Sequence, residues 1–320
     1  MRVEYIQKKF HTETLRIIDL ASEIMLEYQM QGFTLTVRQI YYQFVGRDLF
    51  PDDRTWTLID GRWVRDPNST NKNATPNYKW LGDIINSARL AGLIDWRMIV
   101  DHTRTLQKRP AWDSPQDIMQ AAVDSYHIDR WGDQPYRPEI WIEKDALIGV
   151  IRRKCKELDV PYVSCRGYAS QSVVWQAAQR MHDYRDHHQI PHIIHLGDHD
   201  SSGLDMSRDL RERLELFMGY EGWEPGKDWG FQRIALNMDQ INEYGPPPFP
   251  GKQGDSRYKE YCKRFGPNSW ELDALEPSVM NGLIEDAVLE LRDDDLFDEI
   301  ENTEKAQRPV MQAAVDKMEF

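Results

Sequence analysis

From residue 139 to residue 237 the chain repeats one pattern. Short apolar runs, EIWIE, VPYVSC, PHIIHLG and FQRIALN, alternate with helix-length amphipathic segments, DALIGVIRRKCKEL, SQSVVWQAAQRMHDYRDH and SGLDMSRDLRERLELFMG. Strands separated by helices cannot meet as tight hairpins. They pair in parallel, and the intervening helices cover the sheet. The pattern therefore predicts an α/β fold built on a parallel four-stranded sheet. No internal repeat accompanies it.

Upstream, residues 12–32, 34–50 and 77–94 space their apolar residues as amphipathic helices do. The first stops at Gly32. The second opens on a Thr cap and ends near Gly46. The polar stretch 54–77 between the second and third has no apolar period and reads as a loop or insertion. DWRMIVDHTR, residues 95–104, reads as a short strand. Three helices followed by a β element predict an N-terminal winged helix-turn-helix domain, residues 1–110. Residues 111–138, rich in Pro, Trp and Asp, read as a connector with one helix around 114–126. The second domain spans 139–320. From Glu276 it becomes an acidic, α-rich C-terminal extension whose charge reads as a solvated face.

The net charge of −13 is unevenly placed. Residues 1–110 hold 16 Lys and Arg against 13 Asp and Glu, whereas residues 271–320 hold 15 acids and 4 bases. The overall acidity therefore does not exclude a nucleic-acid surface elsewhere. No stretch approaches the roughly 18 apolar residues of a membrane helix. The N-terminal segment lacks an apolar signal core. Cys155, Cys165 and Cys262 have neither paired nor metal-ligand spacing. These features predict a reduced, cytoplasmic protein with no membrane partner.

Glu143 closes the first apolar run, and Asp198 and Asp200 follow the third, 55 and 57 residues later. In an open parallel sheet, ligands bind beyond the carboxyl ends of the strands. If the first and third strands are neighbours, the three acids meet there. Clustered carboxylates repel one another unless a cation neutralises them. All-oxygen donors favour Mg²⁺ or Mn²⁺, which usually serves phosphate chemistry. Read alone, DHDSSG is more often a solvated turn. Its pairing with a strand-ending Glu is the specific feature. His192, His195 and His199 flank the acids and read as packing or substrate-facing groups rather than zinc ligands.

WIEKDALIGVI, SCRGYASQSV and HLGDHDSSGLDM resemble the Toprim domain of topoisomerases, primases and related nucleases. More narrowly, they are similar to the catalytic A subunit of topoisomerase VI and its relative, the meiotic double-strand-break protein. LNMDQINEYGPPP and KQGDSRYKEYCKRFGPNSWELDALEP extend the likeness over roughly residues 30–290. Arg166-Gly167 with Ser170 matches that family's basic-Gly turn, while Ser201-Ser202-Gly203 replaces its usual Asp-Pro-x-Gly.

The resemblance implies a nucleophilic tyrosine in an R-x-I-Y-Y helix, here VRQIYYQF, and places it at Tyr42. Arg38, one turn earlier on the same face, would hold the scissile phosphate or favour the phenolate. Tyr41 points elsewhere and reads as packing. Without that context a tyrosine pair in an amphipathic helix is ordinary core. Lys79, Asn86 and Arg89 on helix 77–94 are candidate DNA contacts, with a plain solvated helix as the alternative. Arg257, in GDSR, is a DNA contact or a structural salt bridge. The implied activity is metal-dependent cleavage of double-stranded DNA by tyrosine transesterification, leaving phosphotyrosyl 5′ ends. The alternatives are a Toprim nuclease that uses water and a non-catalytic DNA-binding module. The family also implies a homodimer that faces the tyrosine of one protomer toward the acids of the other. Its ATPase, of the GHKL type, sits on a separate B subunit, and this chain has no glycine loop suited to ATP.

Overall fold

The computed structural model describes residues 2–99, 109–219 and 223–318. Helices α1 (Thr12–Met30), α2 (Val37–Gly46) and α3 (Thr75–Leu90) enclose a core that includes Ile17, Ile18, Ile40, Phe44, Leu81 and Ile85. Thr36, two residues later than the first Thr of its segment, caps α2. Its side chain accepts from Gln39 N, and Gln39 Oε1 accepts from Thr36 N at 2.9 Å. This reciprocal pair satisfies two amide donors that a helix start leaves free.

Two expectations for this region change. The segment read as a loop holds a hairpin, β1 (Trp56–Ile59) and β2 (Arg62–Arg65), between α2 and α3. Asp60 and Gly61 both adopt positive φ, 48° and 73°, as a two-residue hairpin turn requires. That Asp-Gly pair was the available signal. In place of a strand from 95, Trp96–Met98 form one 3₁₀ turn and Ile99 makes a single parallel bridge to Leu35. The remainder of the expected strand, residues 100–104, lies outside the described residues.

The connector carries α4 (Pro115–Ser125), and the sheet begins at β3 (Tyr136–Ile142), three residues before the expected boundary. Then follow α5 (Ile148–Glu157), β4 (Tyr162–Ser164), α6 (Gln171–Asp186), β5 (Ile190–Leu196), α7 (Ser201–Gly219) and β6 (Gly230–Ala235). The four strands form one parallel sheet, as expected, and its order is β4-β3-β5-β6. Ile140, Ile142, Ile194 and Leu196 pack on one face with α5. Trp141 and Ile193 pack on the other with α6 and α7. Helices on both faces explain why Ile140, Trp141 and Ile142 in β3, and Ile193 and Ile194 in β5, are consecutive buried apolar residues instead of alternating with polar ones.

Beyond the sheet come α8 (Met238–Tyr244), β7 (Phe249–Pro250), α9 (Tyr258–Phe265), β8 (Asn268–Ser269), α10 (Pro277–Leu289) and α11 (Asp294–Val315). Helix α10 joins the α5 face. Helix α11 lies against α4, where Gln120 and Gln312 exchange amide hydrogen bonds of 2.8 Å. Its acidic face is not wholly solvated. Glu304 is buried and accepts from Ile128 N and Arg308 Nη2, at 3.2 and 2.7 Å. Among the described residues no helix is long and apolar enough to cross a membrane.

Candidate functional site

Strands β3 and β5 end side by side, with Ile142 opposite Leu196. From β3 the chain goes to β4 on one side, and β5 and β6 then fill the other. The change of direction in strand order therefore falls between β3 and β5, where such sheets open a crevice. Glu143 and Asp198 leave the sheet at this point. Asp198 N donates to Glu143 Oε2 at 2.9 Å. Gly197 permits the approach, since a Cβ there would stand 3.0 Å from Glu143 Oε2.

Asp200 plays a different part. Its Oδ1 accepts from Ser202 N and Gly203 N, at 3.0 and 2.6 Å, so it caps the start of α7. Its Oδ2 meets Lys252 Nζ at 3.0 Å. Beneath this turn lies Arg233, whose guanidinium donates to Gly197 O and Asp198 O at 2.8 and 2.6 Å and to Ser207 Oγ. Burial pushes Arg233 down to about 10, so it remains a cation at neutral pH.

Lys144 sits among three carboxylates. Its Nζ is 2.8 Å from Asp198 Oδ1, 3.0 Å from Glu271 Oε2 and 2.5 Å from Asp273 Oδ2. Glu271 Oε2 also accepts from Arg38 Nη2. An unbroken ion chain thus runs from α2 to the end of β5. Burial pushes Asp198 up to about 7, with Lys144 opposing and Glu143 adding to the shift. Burial raises Glu143 in the same direction.

Tyr42 stands behind Arg38, whose guanidinium carbon lies 5.9 Å from the Tyr42 ring centroid. Tyr42 is buried. Burial first, and Glu271 second, lift its phenol well above the ordinary range, while Arg38 and Lys144 pull the other way. Tyr41 donates to Asn73 Oδ1 at 2.8 Å and packs at a tilt against Phe50 and edge-on against Tyr78, a packing role. Arg38, Glu143, Lys144, Asp198, Lys252 and Glu271 line one cleft of about 430 Å³.

The candidate DNA contacts separate. Lys79 and Asn86 are exposed on α3. Arg89 is committed to Trp96: it lies 4.3 Å over the indole and donates to Trp96 O at 3.0 Å. Arg257 is held by Asp255 at 2.8 and 2.9 Å and by Asp205 and Tyr168, which favours its salt-bridge reading. His195 and His199 are buried, and burial pushes them down to about 3 and about 4. Ser207 Oγ hydrogen-bonds His195 Nδ1 at 3.1 Å, and Tyr261 OH meets His199 Nδ1 at 2.9 Å.

The carboxylate oxygens suit Mg²⁺ or Mn²⁺ by donor chemistry. Among the described residues, however, no three His, Cys, Asp or Glu side chains converge as a ready ligand set. Asp200 is turned into its helix cap, and lysine ammoniums meet Asp198 and Asp200. Glu143 and Asp198 are the pair brought together. Sequence reasoning missed Arg233, Lys252, Glu271, Asp273 and the part played by Lys144. A lone Arg inside the apolar run FQRIALN and the ELD pair of acids before a short turn were their signals. No family model, curated protein or solved structure matches this chain.

Proposed function

We propose that this chain cleaves double-stranded DNA by transesterification, with Tyr42 as nucleophile and Glu143, Asp198 and Asp200 as the seat of a divalent cation. The carrying observation is that Arg38, one turn from Tyr42, lines the same cleft as Glu143 and Asp198. In the proposed step the Tyr42 oxygen attacks phosphorus and gives up its proton. The bond from phosphorus to the 3′ oxygen breaks, that oxygen takes a proton, and the 5′ phosphate stays on the tyrosine. Arg38 orients the phosphate and favours the phenolate against the cost of burial. A bound Mg²⁺ or Mn²⁺ would neutralise charge on the phosphate and the leaving oxygen.

The strand order with acids at its switch point supports a Toprim domain. The succession of helix, Leu35 bridge, two helices and Ile99 bridge supports a winged helix, with α3 presenting Lys79 and Asn86 to DNA. A homodimer would supply two nucleophiles for two strands. Any ATPase would come from a separate chain.

The test is incubation with supercoiled plasmid and Mg²⁺ or Mn²⁺, then detergent and protease. Linear DNA that appears only after detergent, with protein on its 5′ ends, is expected. A second reading, hydrolysis by water with Tyr42 structural, is favoured by the burial of Tyr42. Breaks with free 5′ ends would establish it in place of the first. Intact plasmid under all metal conditions would leave a non-catalytic DNA-binding module.

A further inference from the structure

The two lysines on the acids are not equivalent. Lys252 is on the surface, its side chain 65% exposed, and among the acids of the described residues it pairs with Asp200 Oδ2. Asp200 is buried, but an ion pair with one partner this exposed stays open to water and is weaker than an enclosed one. Lys144 is enclosed, 21% exposed, and an ammonium has three protons. All three are spent, on Asp198, Glu271 and Asp273. Removing this ammonium would leave Asp273, whose side chain is fully buried, facing Asp198 and Glu271 with Arg38, on Glu271, as the remaining cation of the cluster. Such a loss is far more costly than losing a surface pair.

Asp273 carries the independent observation. It lines the cleft, and its second oxygen, Oδ1, is buried with no hydrogen-bond partner among the described residues. Three protons cannot serve that fourth position. A divalent ion, with six or more ligand positions, can. Asp198, Glu271 and Asp273 are gathered around this internal cation, and their oxygens become open to a second ion only once it is removed.

We infer that Lys144 is the built-in half of a two-cation site: its ammonium holds the Asp198, Glu271 and Asp273 position, so the chain takes one divalent ion, at Glu143, Asp198 and Asp200, and releases Lys252 from Asp200 on binding it. The inference rests on the proposed divalent-cation site. It adds how many ions that site takes and which lysine yields.

Mn²⁺ titration followed by electron paramagnetic resonance, on the full chain without DNA, counts the ions directly and needs no activity. Wild type binds one Mn²⁺. Lys252→Met still binds one, about two- to fivefold tighter, because a weak competitor is gone. Lys144→Met binds two, since the emptied carboxylates accept the second ion. If Lys144→Met does not fold, Lys144→Arg, which keeps the charge, is expected to stay at one. Two ions on wild type, one on folded Lys144→Met, or two on Lys144→Arg, would overturn the inference while leaving the cation site standing. A Lys252→Met protein with unchanged affinity would overturn the exchange. No bound Mn²⁺ on wild type would remove the cation site itself and the inference with it.

Discussion

At the residue scale the site is a set of charges whose environments differ sharply. Tyr42 is the simplest to question. Phe in its place removes one hydroxyl, so stability should fall by no more than about 1 kcal/mol. Covalent attachment to DNA should nevertheless stop. An adduct formed by Tyr42→Phe protein would move the nucleophile role elsewhere, to Tyr41 first. His195 and His199 make a pH prediction. Their folded pKa values, about 3 and about 4, lie below the unfolded value of 6.5. Between those values the unfolded state binds more protons, so their contribution to stability is whole above about pH 6.5 and is lost as pH falls. Their imidazole NMR signals should stay those of the neutral ring from pH 8 down to pH 5. A midpoint near 6 for either would contradict its burial. Asp198 runs the other way. Its folded pKa is raised from 3.8 to about 7, so this carboxyl costs stability as pH climbs through that window. A bound divalent ion displaces its proton, and Mn²⁺ affinity should rise from pH 6 to pH 8. A flat affinity over that range would show that Asp198 is not a ligand.

At the element scale the decisive piece is the turn from β5 into α7. It bears Asp198 and Asp200, and it closes only because Gly203 has no side chain. A Cβ on Gly203 would stand 2.3 Å from Asp198 O, a backbone atom that cannot step aside cheaply. Gly203→Ala should cost about 1–3 kcal/mol and disturb both acids. Gly282, inside α10, has nothing within 4 Å of a built Cβ. Gly282→Ala should instead stabilise by about 0.4–1 kcal/mol by narrowing the unfolded ensemble. Thermal melts of the two variants check the pair, and equal melting temperatures would refute the tight-turn account. The hairpin within 54–77 leaves little trace in the sequence. A four-residue strand gives almost no periodicity, and only the Asp60-Gly61 turn residues marked the hairpin.

At the scale of the whole molecule, the segment 271–276 binds the helical unit to the sheet unit. Glu271 takes Arg38, and Glu276 accepts from Gln43 Nε2 at 2.7 Å and from Tyr28 OH. The resemblance implies a tyrosine that serves the partner's acids. Within this chain Arg38 already lines the cleft of its own Glu143 and Asp198. Sites built within one chain are therefore expected. A mixture of Tyr42→Phe and Glu143→Ala proteins, with subunit exchange verified, should be inactive, because every site carries a lesion. Nicked plasmid from the mixture, absent from each variant alone, would establish sharing instead.

Helix and strand periodicity, read along the chain, determined the parallel sheet and the position of Glu143, Asp198 and Asp200 at strand ends, because each is a local property of a few neighbouring residues. The Thr36 cap and the Gly32 and Gly46 stops are local in the same way. The tertiary structure alone decided that β3 and β5 are neighbours, that Asp200 caps a helix, and that Lys144 is shared among acids 54, 127 and 129 residues away. Coulombic contacts act through space, and their partners leave no period in the sequence. Burial settles the protonation of such groups, and burial exists only once the layers have packed.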